Sequence, residues 1–314
     1  MNKKSSIVVV SLVIVLGLGF YFFKNSKEKT QDALSVPTQT EKIQVVASFY
    51  PLYFLSQQIG GDKAEVINIV PAGVEPHDYE PTAQDMAKME KSRLLVLNGN
   101  GFEAWKENVQ KNIDSKKTSI LTAGEGLATQ QMTEEGQLHT DPHIWLAPLL
   151  LEKMADKILQ GFEDADPANK ASYQTNANIL KAKLRDLDVA YKEGLNNCTE
   201  KNFVTSHAAF GYLATAYGLR QTSIAGLSPE AEPSSQELAK IVQFVKENKI
   251  KYIFFESLVS PKLSQTIATE VGAQTLVLNP IEGLSGEEIS QGENYLTVMQ
   301  ANLENLQTAL QCKK

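Results

Sequence analysis

Cysteine, histidine and tryptophan are scarce in this chain of 314 residues, which contains two, four and two of them. The two cysteines show no C-x-x-C spacing and have no histidine close by, so neither belongs to a local metal or redox motif. None of the histidines lies in H-E-x-x-H, so a helical zinc-protease site is absent. G-x-S-x-G and the phosphate-binding loop are missing too, and Asn98-Gly-Asn-Gly101 is too short to be a dinucleotide fingerprint. Positive charge is also in short supply. Thirty Lys and Arg against 37 Asp and Glu give a net charge of −7. Lys3, Lys4 and Lys24 lie in or beside an N-terminal apolar segment, so the remainder is more acidic still. An acidic surface repels phosphate backbones, and nucleic-acid binding is excluded as a function class.

What is present is ordinary globular composition, 42% hydrophobic and 21% charged. The length suits two domains, each able to bury a core. At the N-terminus two lysines precede an apolar run from Ile7 to Phe23, ended by Lys24, Ser26, Lys27 and Glu28. A basic stretch before an apolar one is the pattern of an export signal. The run is at the short limit for a spanning helix, and no small-x-small site follows Phe23. Residues 1–24 are therefore read as a signal peptide or an uncleaved signal anchor, the latter giving membrane contact. Residues 25–41, rich in Thr, Gln and Ser, read as a flexible tether. The globular part is expected outside the cytoplasm, in the periplasm or on the outer face of the cytoplasmic membrane. In that oxidising setting Cys198 and Cys312 point to a disulfide, with two free thiols as the alternative.

From Lys42 onward, short β-branched runs alternate with helical stretches. Ile43–Ser48, Glu65–Val70 and Arg93–Leu97 read as strands, with helices at Tyr50–Ile59 and Thr82–Lys91. The alternation resumes at Phe203 and continues to Leu278, and a last helix covers Gly292–Gln311. Such alternation implies parallel sheets with helical crossovers, an α/β protein of two blocks. Between the blocks Leu180, Leu184, Leu187, Tyr191 and Leu195 form a helical stripe, which predicts one long helix over Pro167–Leu195. The expected division is residues 42–165, a linker helix over 166–196, and residues 197–314.

His77, His143 and His207 each fall in a loop or at a strand-to-helix passage, spaced 66 and 64 residues apart. In open α/β sheets that edge is where ligands bind. A single loop histidine is more often a solvated side chain than a ligand. Three from separate loops suit a tetrahedral zinc ion, but non-local ligands leave no local signature.

The surrounding residues go further. Glu75-Pro-His-Asp-Tyr-Glu-Pro-Thr, Asn98-Gly-Asn-Gly-Phe-Glu-Ala-Trp, Asp141-Pro-His-Ile-Trp-Leu, Val204-Thr-Ser-His-Ala-Ala-Phe-Gly-Tyr-Leu and Phe254-Phe-Glu-Ser occur in this order. Together they resemble the motif blocks of the zinc- and manganese-binding solute-binding proteins of bacterial ABC importers, closest to the zinc-uptake branch. The resemblance covers about Lys42 to Gln311. It implies two Rossmann-like lobes, each a mainly parallel sheet flanked by helices, joined by one long rigid helix with metal in the cleft.

It also implies His77 and His143 as ligands from the first lobe and His207 from the second. The third imidazole points to Zn2+ rather than Mn2+, which prefers oxygen ligands. Glu256 is the candidate fourth position, either binding metal or accepting a hydrogen bond from a ligand histidine. Glu75 and Asp78 are weaker candidates for that role, and Trp145, Tyr79 and Phe210 read as packing. Where many members carry an Asp-Pro ligand motif, this chain has Asn279-Pro280, and Ala147 replaces another Asp. The His-rich loop of some members shrinks to Ala123–Thr140 with only His139, which reads as exposed. The implied function is capture of zinc outside the cell membrane and delivery to the membrane subunit of an ABC permease, by a monomer that is not an enzyme. A manganese importer component, a secreted zinc hydrolase and a surface adhesin are the competing readings.

Overall fold

The computed structural model describes residues 41–134 and 136–313; the expected signal segment and tether lie outside this range. Two four-stranded parallel sheets organise it. The first contains β1 (Ile43–Ala47), β2 (Ala64–Asn68), β3 (Leu94–Leu97) and β4 (Ser119–Thr122), in the order β2-β1-β3-β4. The second contains β7 (Asn202–Thr205), β8 (Arg220–Ser223), β9 (Tyr252–Phe255) and β10 (Gln274–Val277), in the order β8-β7-β9-β10. Read from the first strand of each half, the two orders are the same. No sequence repeat announces this, so the likeness is one of topology.

Parallel strands covered on both faces read as continuous apolar runs. Leu94–Leu97 is such a run, and all four residues are buried. Helix α1 (Tyr50–Gly60) crosses from β1 to β2, and α2 (Ala83–Lys91) from β2 to β3. The Thr82 hydroxyl and the Asp85 carboxylate close a capping box at the start of α2, satisfying two otherwise orphan N–H groups. Helix α3 (Lys106–Asn112) precedes β4. A short antiparallel hairpin, β5 (Gln131–Glu134) and β6 (Gln137–Thr140), occupies the stretch that the sequence reading leaves as a loop.

Helix α4 (Pro148–Ala165) opens with Pro at its first position and buries Leu151, Met154, Ala155, Ile158 and Phe162 on one face. Helix α5 (Lys170–Asn196) is the long helix expected from the leucine stripe. It has 27 residues, about 40 Å at the usual rise, and buries Leu180, Leu184, Leu187, Tyr191 and Leu195. Its apolar stripe packs against α4, α1 and the final helix α10 (Tyr295–Ala309), so one core runs through both halves. The remaining helices are α6 (Gly211–Ala216), α7 (Ser235–Glu247), α8 (Lys262–Val271) and α9 (Gly286–Ser290). Cys198 and Cys312 are joined as a disulfide, tying the end of α5 to the end of α10. Among the described residues no helix is long and apolar enough to cross a membrane.

Both sheets reverse their direction of growth beside the first strand, between β1 and β3 and between β7 and β9. Such a switch leaves a crevice at the carboxyl ends of the strands. His77, His207, Glu256 and Glu282 each follow the carboxyl end of one of these strands in sequence.

Candidate metal centre

His77 lies in the loop after β2, His143 between the hairpin and α4, and His207 two residues past β7. The structure brings all three together. Nε2 of His143 is 3.2 Å from Nε2 of His77 and 3.3 Å from Nε2 of His207. A fourth donor completes the group, and it is Glu282, in the loop after β10. Its Oε1 lies 3.3 Å from Nε2 of His77 and 3.2 Å from Nε2 of both His143 and His207. The four atoms are all within 4.8 Å of one another. Four donors bound tetrahedrally to one zinc ion at about 2.0–2.1 Å lie about 3.3–3.4 Å apart, and the five donor pairs just given match that edge length.

The ring nitrogens that face away fix the tautomers. Nδ1 of His143 is 2.8 Å from Oδ1 of Asp141, which also accepts the backbone N–H of His143. Nδ1 of His207 is 2.7 Å from Oε1 of Glu256. A carboxylate at Nδ1 keeps the proton there and turns the Nε2 lone pair inward. Glu256, read from the sequence as either a ligand or the acceptor of a ligand histidine's hydrogen bond, stands in the second of these places, behind His207, and the fourth atom of the cluster is Oε1 of Glu282. The physical reason is reach. Glu256 directly follows β9 and reaches only the far nitrogen of the ring, whereas Glu282 lies five residues past the end of β10 and reaches all three Nε2 atoms.

That loop has an unusual build. Ile281 is fully buried with φ of 57°, the left-handed region, which for a β-branched residue costs about 1–3 kcal/mol. Its neighbours hold it there. The Asn279 side-chain oxygen accepts the Ile281 N–H at 2.7 Å, and Asn302 clamps both backbone groups of Asn279. Trp145 donates its indole N–H to the Pro280 carbonyl at 2.8 Å, and Tyr295 donates to the Trp145 carbonyl. The Asn279 amide nitrogen donates to Ser257 and Glu288, so this side chain supports the loop and supplies no ligand. No local sequence pattern marks Glu282; the only clue is a carboxylate shortly after a strand's carboxyl end.

Phe102 packs on His77 with ring centroids 4.8 Å apart, and Trp145 on His143 at 5.1 Å. Phe49 packs against both Phe102 and Trp145. The loop carrying Phe102 is pinned by the buried Glu103 carboxylate, which accepts from the Ser48 hydroxyl and the backbone N–H groups of Asn98 and Gly99. Glu75 accepts the His77 N–H, and Tyr79 donates to Asp85, outside the donor group. His139 lies on β6, opposite Met132, and lines a separate cavity of about 680 Å³ with Glu134, Glu232 and Glu237.

Burial of four polar groups at this density is costly unless a positive charge is shared among them. Burial works against charge on His207, but the Glu256 and Glu282 carboxylates outweigh it and lift the imidazole well above its ordinary range. His143 is raised likewise, against burial, by Asp141 and Glu282. His77 goes the other way, lowered mainly by burial. Burial alone would raise Glu282, yet the histidines beside it hold its carboxyl well below the usual range. Glu75 is pushed up to about 8 by burial and by Glu282. The carboxylates and inward lone pairs thus call for cationic charge, which protons or a metal ion can supply.

Comparison with known proteins points to zinc-uptake proteins. The family described as zinc-uptake complex component A, periplasmic, matches residues 45–309. The chain is 39% identical over 290 residues to the high-affinity zinc uptake system protein ZnuA of Bacillus subtilis, covering 89% of this chain and 91% of that protein. It is 38% identical to the zinc-binding lipoprotein AdcA of Streptococcus pneumoniae, covering 97% of this chain but only 60% of AdcA. The crystal structure of the Zn(II)-bound ZnuA-like domain of AdcA superposes with a TM-score of 0.75 at 40% identity, covering 86% of this chain and 99% of that domain. The laminin-binding protein Lmb of Streptococcus agalactiae, described as having adhesin and metal-transporting activity, gives 0.76 at 34% identity, covering 85% of this chain and 99% of Lmb.

Proposed function

This chain belongs to the zinc-uptake complex component A family, and from that membership we propose that it captures Zn2+ outside the cytoplasm and hands it to the membrane subunit of an ABC permease. One observation carries the reading: three imidazole nitrogens and one carboxylate oxygen converge at the spacing of a tetrahedral zinc site. His77, His143, His207 and Glu282 are the ligands in this proposal. Asp141 and Glu256 orient two of the rings through Nδ1.

A site with four protein donors leaves no open position at which zinc could activate water, unlike a catalytic site with three. That favours carriage over hydrolysis. Zinc is the cargo, and neutral imidazole suits it better than it suits manganese. The bonded cysteines and the basic-then-apolar N-terminus support a location outside the cytoplasm, with the chain released or anchored by that segment and acting as a monomer. Deleting the gene tests the reading. Growth should fail only when zinc is limiting and recover when zinc is added. A deletion strain that is rescued by manganese but not by zinc would refute it.

A further inference from the structure

The hairpin β5–β6 belongs by sequence to the first half, yet its base is fastened to the second. Tyr212, on α6 five residues after His207, is 3% exposed. Its hydroxyl accepts the backbone N–H groups of Thr129 and Gln130, both at 3.0 Å, and donates to the Asp141 carbonyl at 2.9 Å. One donor and two acceptor positions exhaust a phenol, so a single oxygen closes both ends of the hairpin onto α6. Around it the seam is tight. The Gln130 amide donates to Thr215 on the same helix. At Gly211 an added Cβ would lie 2.6 Å from Oε1 of Gln130 and 3.0 Å from Oδ2 of Asp141, so a side chain there would press on both.

Asp141 has two tasks in this arrangement. Its carbonyl is held by Tyr212, and its carboxylate holds Nδ1 and the backbone N–H of His143. The path from α6 to the ring of His143 therefore contains one residue, Asp141. The helix at its other end begins just after the loop that carries His207.

We propose that Tyr212 is a positioning residue for zinc retention: its hydroxyl fixes Asp141, and so His143, relative to the segment bearing His207, and thereby slows release of the metal. This rests on the zinc-carrying role argued above. Supporting residues behind a metal ligand typically change affinity by about 10–100-fold. A residue one step further back is placed at the low end of that range.

The test is the rate of zinc loss to a chromophoric chelator, measured on the zinc-loaded full chain. Tyr212→Phe should release zinc about tenfold faster than the unaltered protein, the low end of that range. Gly211→Ala approaches the same seam from the other side, keeps the phenol, and should also speed release. Tyr191→Phe is the control: its buried hydroxyl donates to the Met299 carbonyl at 2.7 Å, away from the donor group. It should alter thermal stability without altering the release rate. The proposal is overturned if Tyr212→Phe and Gly211→Ala release zinc at the unaltered rate, or if Tyr191→Phe accelerates release equally. Either result leaves the zinc-carrying role standing, provided the unaltered protein binds zinc. Absence of zinc binding by the unaltered protein would overturn both.

Discussion

Oε1 of Glu256 lies 2.7 Å from Nδ1 of His207, while Nε2 of the same ring lies 3.2 Å from Oε1 of Glu282. One imidazole thus separates two carboxylates with different tasks, one orienting the ring and one facing the metal position. The distinction is measurable.

Alanine at His77, His143 or His207 removes a donor atom, and each should cost more zinc affinity than the roughly 10–100-fold expected for a supporting residue. Glu256→Gln should fall within that range, because the amide can still accept from Nδ1 but carries no charge. His139→Ala should change nothing, since that ring lines a different cavity. Competition titration against a chelator of known strength ranks the variants. Equal losses at His139 and His143 would contradict the donor set.

The response to pH has a definite sign. His207 and His143 are raised above the ordinary imidazole value of about 6.5, so without metal they retain their protons to higher pH than a free imidazole does. Protonated rings paired with Glu282 stabilise the metal-free fold below about pH 6.5, and that contribution fades as the pH climbs through their raised values. Zinc must displace those protons, so its affinity should rise with pH. Calorimetry in buffers of different ionisation enthalpy should show proton release on binding, and the rise in Tm caused by zinc should be larger at pH 8 than at pH 6. Proton uptake on binding would contradict this.

Asn279 bears on metal choice in a way its sequence position conceals. An aspartate there would seem to add an oxygen ligand for manganese. The structure instead directs the Asn279 amide to Ser257 and Glu288, 2.9 and 3.1 Å away. Asn279→Asp removes both donations and sets a carboxylate against Glu288. It should destabilise the protein by about 1–3 kcal/mol and leave the preference for zinc over manganese unchanged. His207→Glu, which changes a donor facing the metal position, should move that preference toward manganese. Paired Tm and metal-competition measurements separate the two.

The Cys198–Cys312 bond joins residues 114 apart, across the whole second half. Replacing both with alanine should cost about 2–5 kcal/mol of stability while zinc affinity stays within a few-fold, because neither sulfur is near the donor group. Denaturant unfolding and zinc titration of the same variant test both parts.

Much of this molecule is legible in its sequence. Leu94–Leu97 and the stripe from Leu180 to Leu195 carry their periodicity openly, because burial on both faces or along one stripe repeats in sequence. The stripe of α4 from Leu151 to Phe162 is carried as openly, with Pro148 as its start signal. The hairpin was hidden for a different reason: its four-residue strands are half exposed and alternate weakly. The three histidines were legible through their motif blocks. Glu282 was not, because its place depends on a left-handed Ile281, an Asn279 turn and an indole donated from Trp145, 135 residues away. Contacts of that range leave no pattern along the chain.

Zinc-edge X-ray absorption on the zinc-loaded full chain tests the central claim most directly. The account predicts one zinc per chain, four-coordinate, with three imidazole nitrogens and one carboxylate oxygen at about 2.0–2.1 Å, and loss of the oxygen scatterer's carboxylate character in Glu282→Ala. A spectrum showing two or fewer imidazoles, or one that is unchanged in Glu282→Ala, would contradict it.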